Sequence, residues 1–270
     1  MSQKRSARLL ALAAGAAGIA SLALAVPSAS AAPVTGTTAG SVQQVSPSIA
    51  GQESHRLQNT GHATKNSVTS GNWSGYAATT GNYTSVSSSW TQPAITCTSK
   101  TTYSSYWVGL DGYNNSALEQ TGTEADCIGG RAVYGAWWEV LPASESAYSG
   151  VTVRAGDHLT ASVTYNGSSK FTMTLSDSTQ GWTKTTTHAG SSGFQNTSAE
   201  VIAEATSVGG SIANLSNFGT VGFTGATANG TALGSLSPTE IVMAGSSGNT
   251  TAQPGAISGG NFSVTWKNYS

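Results

Sequence analysis

The chain has 270 residues, of which only 9% are charged, with 11 Lys or Arg against 12 Asp or Glu. Charge-driven disorder is excluded, because disordered segments carry many charges and few aromatic residues, whereas this chain has seven Trp, nine Tyr and five Phe. A net charge of −1 provides no basic surface for nucleic acid, so we expect no nucleic-acid partner.

The N-terminus has the pattern of a secretory signal peptide. Three cations among the first eight residues precede an apolar run from residue 9 to 26, and Ala29, Ser30 and Ala31 form a small-residue cleavage site. The run is also about as long as the shortest membrane anchors, but its Ala and Gly content and the cleavage site favour removal. We predict a signal peptide at residues 1–31, secretion to the extracellular space and no membrane association after cleavage.

Residues 32–70 contain no aromatic residue and little periodicity, so they cannot bury much apolar surface. A disordered linker or a propeptide that is removed on maturation would both have this composition. His55 and His62 lie in this segment, beside Arg56 and Lys65. If the segment is a propeptide, these side chains are the cations that it could offer to an acidic cleft.

The remaining residues, 71–270, carry six Lys or Arg against eleven Asp or Glu. Their number suits one domain with a sizeable core, and we expect a monomer. Cys97 and Cys127 are the only cysteines, and in a secreted protein a single pair most simply forms one disulfide. The loop of about 30 residues that it would close is worth about 3 kcal/mol in the chain-entropy model.

Short stretches of alternating apolar and polar residues recur between clusters of Gly, Asn and Ser. A period of two with turn residues between the stretches indicates antiparallel strands, and no long stretch has the helical period. An all-β sandwich or barrel is therefore predicted. The clearest predicted strands are residues 85–93, 103–112, 132–142, 151–167, 170–178, 219–225, 240–245 and 261–268.

Strand periodicity sorts the acidic residues by face. Alternation places a tryptophan and a carboxylate on one face of two strands, Trp107 with Asp111 and Trp137 with Glu139. Glu200 and Glu204 would share a face whether the segment that holds them is a strand or a short helix. Carboxylates are costly to bury, so five acids in apolar or aromatic contexts indicate a site, although any one alone could face solvent: Asp111, Glu119, Glu139, Glu200 and Glu204.

The chemistry of the other residues narrows the function. The chain has no G-x-S-x-G turn and no zinc-binding pattern, and two cysteines joined as a disulfide supply no thiolate. His158 lies in a hydrophilic turn and His188 in a Thr-rich stretch, so both are interpreted as surface residues. The chemistry that remains is catalysis by carboxylates in a site lined by aromatic side chains. No metal or cofactor is expected.

Five motifs, in order along the chain, resemble those of the glutamic peptidases, or eqolisins. The resemblance implies a lectin-like β-sandwich of two curved antiparallel sheets, and endopeptidase activity on proteins or peptides that is acid-active and insensitive to pepstatin. The motifs are Asn72-Trp73-Ser74-Gly75-Tyr76, Trp107-Val108-Gly109-Leu110-Asp111-Gly112, Glu119-Gln120-Thr121-Gly122, Tyr134-x-Ala136-Trp137-Trp138-Glu139 and Ala199-Glu200-x-Ile202-x-Glu204.

The resemblance also implies a catalytic pair, Gln120 and Glu204. A carboxylate can activate water and then protonate the leaving amine, while an amide N–H stabilises the oxyanion. Glu119 is interpreted as structural, because alternation turns it to the face opposite Gln120. Groups that line the cleft or support the pair are then Trp73, Trp107, Asp111, Trp137, Glu139 and Glu200.

Two other functions use similar residues. Exposed tryptophans on a β-face also occur in secreted carbohydrate-binding sandwiches, and a glycoside hydrolase would use two of the same carboxylates about 5 to 9.5 Å apart. Neither alternative accounts for Gln120 and Glu204 at matching motif positions. The scarcity of cations itself suggests tolerance of acid, because a domain with few Lys and Arg repels itself little when its carboxylates are protonated.

Overall fold

The computed structural model describes residues 55–58 and 66–270 with their side chains, and the backbone of the short strands at 43–44, 53–54 and 59–64. These residues belong to one compact unit, Ser41–Ser270. The predicted signal peptide and much of the segment 32–70, including the side chain of His62, lie outside the described residues. In the described ranges, no helix is long and apolar enough to span a membrane.

The described residues form strands joined by turns, with one 3₁₀ turn at Leu233–Leu236. In chain order the strands are β1 (Gln43–Gln44), β2 (Glu53–Ser54), β3 (Asn59–Thr64), β4 (Ser67–Ser70), β5 (Trp73–Ala78), β6 (Ser85–Thr91), β7 (Ser105–Leu110), β8 (Glu119–Ile128), β9 (Arg131–Val140), β10 (Ser146–Ala147), β11 (His158–Tyr165), β12 (Lys170–Asp177), β13 (Trp182–Ala189), β14 (Ala199–Glu204), β15 (Ser207–Val208), β16 (Ser211–Ile212), β17 (Thr220–Ala228), β18 (Thr231–Ala232), β19 (Thr239–Ala244), β20 (Thr250–Pro254) and β21 (Phe262–Trp266).

Two large sheets share strand β19. The first sheet has the order β9-β8-β7-β14-β5-β19-β4-β3. The second has the order β13-β12-β11-β6-β17-β21-β20-β19. Neighbouring strands are antiparallel except at two parallel pairs, β19 with β4 and β1 with β9. Short strands β2, β15 and β16 form a separate small sheet.

The main core lies between the two sheets. Alternate residues of β12, Phe171, Met173 and Leu175, are buried there with Tyr106 and Val108 of β7. Each large apolar side chain buried in this way contributes about 1.5–3 kcal/mol to folding. The predicted all-β class and the sandwich architecture are therefore confirmed.

The outer face of the second sheet carries hydroxyl groups where many proteins carry charges. Its threonines and serines pair across neighbouring strands: Thr172 with Thr187 at 2.8 Å, Thr174 with Thr185 at 3.1 Å, and Ser176 with Thr183 at 3.0 Å. Cross-strand hydroxyl pairs stabilise a sheet modestly. They give this face much of its polarity, with few charged groups such as Lys170 at the start of β12.

The predicted strand at residues 151–167 was wrong over its first half, since β11 begins at His158. Residues 154–157 form a turn in which the backbone N–H of Asp157 donates to the carbonyl of Arg154 at 3.1 Å. Gly156 has φ of 90°, which favours glycine because it has no Cβ. The turn at residues 154–157 therefore interrupts the predicted strand, and β11 begins directly after it.

The predicted disulfide between Cys97 and Cys127 is confirmed. It joins the loop before β7 to the end of β8, with the two Cα atoms 5.4 Å apart. The bond closes a loop between residues that are 30 positions apart in sequence. It therefore ties the end of β8, an inner strand of the first sheet, to a segment that contributes no strand residue to that sheet.

Candidate active site

The candidate site lies on the face of the first sheet that points away from the main core. Register places the site residues in rows across strands β5, β14, β7, β8 and β9. One row contains Trp73, Glu204 and Ser105; the next contains Ile202, Trp107, Gly122 and Trp137; a third contains Glu200, Gly109, Gln120 and Glu139. Trp107 of β7 therefore shares this face with Trp137 and Glu139 of β9, as alternation predicts, whereas Asp111 lies beyond the end of β7.

Glycine at position 122 allows this face to be tightly packed. A Cβ added to Gly122 would lie 2.6 Å from the Cβ of Trp107 and would also meet the carbonyl oxygen of Tyr106. Such a contact is too close for any residue with a side chain. Gly122 therefore makes room for Trp107, whose row lies between the rows that hold Glu204 and Gln120.

Glu204 is buried and is held by three donors. The amide Nδ2 of Asn72 donates to Oε1 at 2.8 Å, and the indole Nε1 of Trp107 donates to Oε2 at 2.7 Å. The Nδ1 atom of His55 lies 3.0 Å from Oε2. Burial raises the pKa of Glu204 above its ordinary value of 4.5, although His55, Trp107 and Asn72 all favour the ionised form.

Gln120 is fixed by a carboxyl group. Its Nε2 donates to Oε2 of Glu139 at 2.6 Å, and both side chains are buried. Burial raises the pKa of Glu139 to about 8, with nearby carboxylates adding to the rise and His55 opposing it. Glu139 is therefore protonated in acid. Gln120 pairs with Gly109 and Glu204 with Ser105 of the same strand, so Trp107 lies between the two side chains.

His55 occupies the space in front of Glu204. Its buried ring stacks on Trp137, with centroids 4.0 Å apart and planes 4° from parallel. Its Nε2 lies 2.9 Å from Oε2 of Glu145. Burial alone would lower the pKa of His55, but Glu204, Glu145 and Glu139 together raise that pKa well above 6.5. The imidazole is therefore a cation held between carboxylates.

The backbone around His55 is bound by the side chains of Trp73 and Asn72. The indole Nε1 of Trp73 donates to the carbonyl of His55 at 3.0 Å, and Nδ2 of Asn72 donates to the carbonyl of Arg56 at 2.7 Å. The N–H of Gln58 donates to Oδ1 of Asn72 at 2.8 Å. Main-chain contacts of this kind recognise a peptide whatever its side chains are.

Glu145 and the side chain of Asn72 are site residues that sequence reasoning missed. Glu145 follows the end of β9 in a turn, where no strand period marks its direction. Asn72 belongs to a quoted motif, but the motif gave it no role. The distance in sequence between His55 and Glu145 is 90 residues, so only the fold brings them together.

Four buried polar atoms of this cleft have no hydrogen-bond partner within the described part of the chain. Buried polar groups are nearly always paired, so a cluster of exceptions marks a place for water or substrate. The atoms are Oε1 of Gln120, Oε1 of Glu139, Oε1 of Glu145 and Nε1 of Trp137.

Two predicted site residues lie away from Glu204. Asp111 anchors a loop: its carboxylate accepts from the backbone N–H groups of Gln195, Asn196 and Thr197 at 2.8–2.9 Å. Glu200 sits in strand β14, not a helix, two rows from Glu204. Burial raises the pKa of Glu200 well above 4.5, an effect that Ser198 opposes and neighbouring carboxylates increase.

Glu119 and the two later histidines also have defined places. Glu119 points to the face opposite Gln120, as predicted, and its Oε1 accepts from the N–H of Ser191 at 2.6 Å. His158 is exposed, whereas His188 is half-buried and stacks on Trp138 with centroids 4.0 Å apart. None of these three residues contacts Glu204.

Comparison with known proteins identifies relatives of the region from residue 71 to residue 266. Residues 71–266 match the peptidase A4 family. Aspergillopepsin-2 of Aspergillus niger is 28% identical over 244 residues, which cover 82% of this chain and 85% of that protein. The crystal structure of aspergilloglutamic peptidase from Aspergillus niger is similar at a TM-score of 0.56 and 28% identity, covering 62% of this chain and 99% of that one.

A second solved structure has the same fold. Scytalido-glutamic peptidase with a transition state analog inhibitor is similar at a TM-score of 0.63 and 23% identity, over 73% of this chain and 98% of that one. Residues 71–266, which match the family, contain strands β5, β7, β8, β9 and β14 of the site. The segment that carries His55 precedes them. The chain belongs to the peptidase A4 family, the glutamic peptidases or eqolisins, as its five motifs indicate.

Proposed function

We propose that the protein is a secreted, acid-active endopeptidase in which Glu204 and Gln120 are the catalytic pair. The observation that carries the proposal is the peptide bound in the cleft: residues 55–58 lie beside Glu204, with their backbone held by Trp73 and Asn72. A cleft that binds peptide backbone against a carboxylate suits peptide hydrolysis. The family match supports protein or peptide substrates.

In the proposed reaction Glu204 first acts as a base. It accepts a proton from a water molecule, whose oxygen bonds to the carbonyl carbon of the scissile peptide. The Nε2 of Gln120 donates to the carbonyl oxygen as that atom gains negative charge. Glu204 then returns its proton to the peptide nitrogen, the C–N bond breaks, and a carboxylic acid and an amine leave.

The neighbours of the pair have supporting roles in this proposal. Trp107 and Asn72 fix both oxygens of Glu204, and Asn72 also binds the backbone of the peptide. Protonated Glu139 fixes the amide of Gln120 without adding a negative charge near the oxyanion. Because the amide of Gln120 does not titrate, the protonation of Glu204 sets the lowest pH at which the enzyme is active.

The proposal predicts cleavage of casein or haemoglobin between about pH 2 and 5, with a rate that falls towards pH 2 as Glu204 becomes protonated. Pepstatin, chelators and serine-protease reagents should leave the rate unchanged. The measurement is release of acid-soluble peptides by the purified secreted protein. Intact casein and haemoglobin over this whole pH range would contradict the function.

We further propose that residues 32–70 are a propeptide, that residues 1–31 are a signal peptide and that 71–270 form the mature enzyme. The imidazole of His55 fills the space that a substrate and the attacking water would need beside Glu204. In this arrangement the unprocessed chain is inactive. Acid protonates the carboxylates that hold His55, which weakens the contact and permits self-cleavage.

Changing His55→Ala in the full-length chain is expected to abolish the delay before activity appears at acid pH. The substitution removes both carboxylate contacts and the stack on Trp137. N-terminal sequencing before and after acid treatment measures shortening, and His158→Ala is the control for loss of an exposed histidine. The propeptide proposal would be contradicted if His55→Ala kept the wild-type delay. It would also be contradicted if the N-terminus of the acid-treated protein stayed near Ala32.

A further inference from the structure

We infer that strand β15, Ser207–Val208, is a docking edge for the backbone of an extended substrate, on the N-terminal side of the bond that is cleaved. The inference rests on the proposed peptidase function and on the removal of residues 32–70. In the full chain, β2 (Glu53–Ser54) pairs with this edge, so the unprocessed protein displays the contact that a substrate would make. Neither the five motifs nor the proposed catalytic pair includes β15.

Strand β15 forms a tight hairpin with β16. Gly209 and Gly210 join the two strands with φ of 59° and 83°, and a two-residue hairpin turn requires such positive values. Beyond the strand pair, the N–H of Ala213 donates to the carbonyl of Thr206 at 3.0 Å. The hairpin is therefore held by its own hydrogen bonds, and it does not depend on β2 for its shape.

Register decides where the backbone of Ser207 points. Ser207 lies opposite Ile212, next to the hydrogen-bonded pair of Thr206 and Ala213. Bonded and non-bonded pairs alternate along an antiparallel ladder, so the N–H and C=O of Ser207 point away from β16. They face Ser54 of β2, which is the residue opposite in register. Ser207 therefore offers one donor and one acceptor to a chain that replaces β2.

The edge leads directly to the proposed catalytic carboxylate. Strand β14 ends at Glu204 and β15 begins at Ser207. Ser54 is followed by His55, whose imidazole contacts Glu204. A chain that pairs with Ser207 in the direction of β2 therefore brings its following residues to Glu204. This docking uses main-chain atoms of Ser207 and no atom of Glu204, so the attacking water keeps its place.

Removal of residues 32–70 would free this edge. Within the described part of the chain, β15 lies between β16 and β2 in the small sheet. Gln58, which belongs to the same removed segment, donates from Nε2 to Ser207 Oγ at 3.1 Å. An edge that loses its neighbouring strand accepts another one through main-chain hydrogen bonds. Such bonds do not depend on the side chains of the substrate, which suits an endopeptidase that cleaves many sequences.

The test uses peptide substrates with one backbone N-methyl group, moved residue by residue along the N-terminal side of the cleaved bond and excluding the two residues that form that bond. The full-length secreted chain is first incubated in acid, and kcat/KM is then measured at acid pH. Methylation of the residue that pairs with Ser207 removes its N–H and should lower kcat/KM by about three- to tenfold, mainly through KM. The residues on either side of it turn their N–H groups away from β15 and should tolerate methylation.

Ser207→Pro removes the N–H that would face the substrate, and proline is tolerated at an edge position whose N–H lies outside the ladder. The variant should lower kcat/KM for the unmethylated peptide by about three- to tenfold. It should also reduce the loss that methylation causes, because both changes break the same strand contact. Ser207→Ala is the matched control: it keeps the backbone N–H, and it should keep the sensitivity to methylation. Circular dichroism checks that each variant folds.

The outcomes separate the two proposals. If the wild type cleaves none of the peptides, the peptidase function itself is contradicted. If it cleaves them all equally well, or if methylation causes the same loss at every residue, only the role of β15 is overturned. That result needs no variant, so it holds even if Ser207→Pro fails to fold. A methylation loss that is as large in folded Ser207→Pro as in the wild type would also overturn the inference.

Discussion

Replacing Glu204→Gln is expected to lower kcat for casein at acid pH by about 10²- to 10⁴-fold, the range that a general base contributes. The amide has nearly the same shape but cannot take a proton from water. It can still accept a hydrogen bond from Trp107, so the cleft should keep its structure. The other oxygen, which accepts from Asn72 in the wild type, becomes an NH2 group that cannot accept a hydrogen bond. This loss lowers the free energy of unfolding by about 1 kcal/mol.

The partner substitution Gln120→Ala should lower kcat by about 10²- to 10³-fold, because it removes the donor to the oxyanion. Gln195→Ala is the matched control, since that side chain is exposed on a loop and should behave as wild type. Steady-state kinetics and thermal unfolding are measured for all three variants. If a folded Glu204→Gln or Gln120→Ala variant retained wild-type activity, the assignment of the catalytic pair would be wrong.

The protein is also expected to be most stable in acid and to lose stability as the pH rises from about 4 to 8. Of the eleven acids after residue 70, ten are buried and only Glu240 is half-buried. Burial raises the pKa of Glu119 to about 7 and that of Glu139 to about 8. A carboxyl whose folded pKa is raised stabilises the fold below its unfolded pKa and loses that contribution as the pH passes its folded pKa.

Each pKa unit corresponds to about 1.4 kcal/mol, so these two groups together account for a loss on the order of several kcal/mol by pH 8. The raised pKa of His55 acts in the same direction, since its favourable charge is lost at high pH. Urea unfolding at several pH values measures the effect, and Glu119→Gln should flatten the curve between about pH 5 and 7. A maximum near neutrality, or collapse between pH 5 and 3, would refute this account.

Alternation in the sequence was sufficient to predict which face of the strands carries the site. Trp107, Trp137 and Glu139 share that face because a strand has a period of two, and the same rule turned Glu119 away from Gln120. The position of Gln120 and Glu204 in ordered motifs then identified the family. These predictions needed only local pattern, and long-range pairing did not alter them.

The sequence did not reveal how the acids are distributed between interior and surface. Residues 71–270 contain eleven acids and six cations, which suggests an acidic surface, yet nearly all of these acids are buried and most of these cations are exposed. Glu145 could not be predicted because a turn has no period. Asp111 shows the limit of alternation: it was expected on the face of Trp107, but β7 ends at Leu110, and Asp111, with φ of 67°, anchors a distant loop instead.

The contact between His55 and Glu204 has a consequence for how the cleft could be emptied. Strand β2 pairs with β15 just before His55, and β3 pairs with β4 just after it, so both ends of the segment are tethered. A tethered group acts at an effective concentration that can reach the millimolar range, and dilution does not change it. Scission of one peptide bond would convert His55 into part of a separate ligand whose binding obeys mass action. Dilution into the surroundings would then remove it, and the step would not reverse.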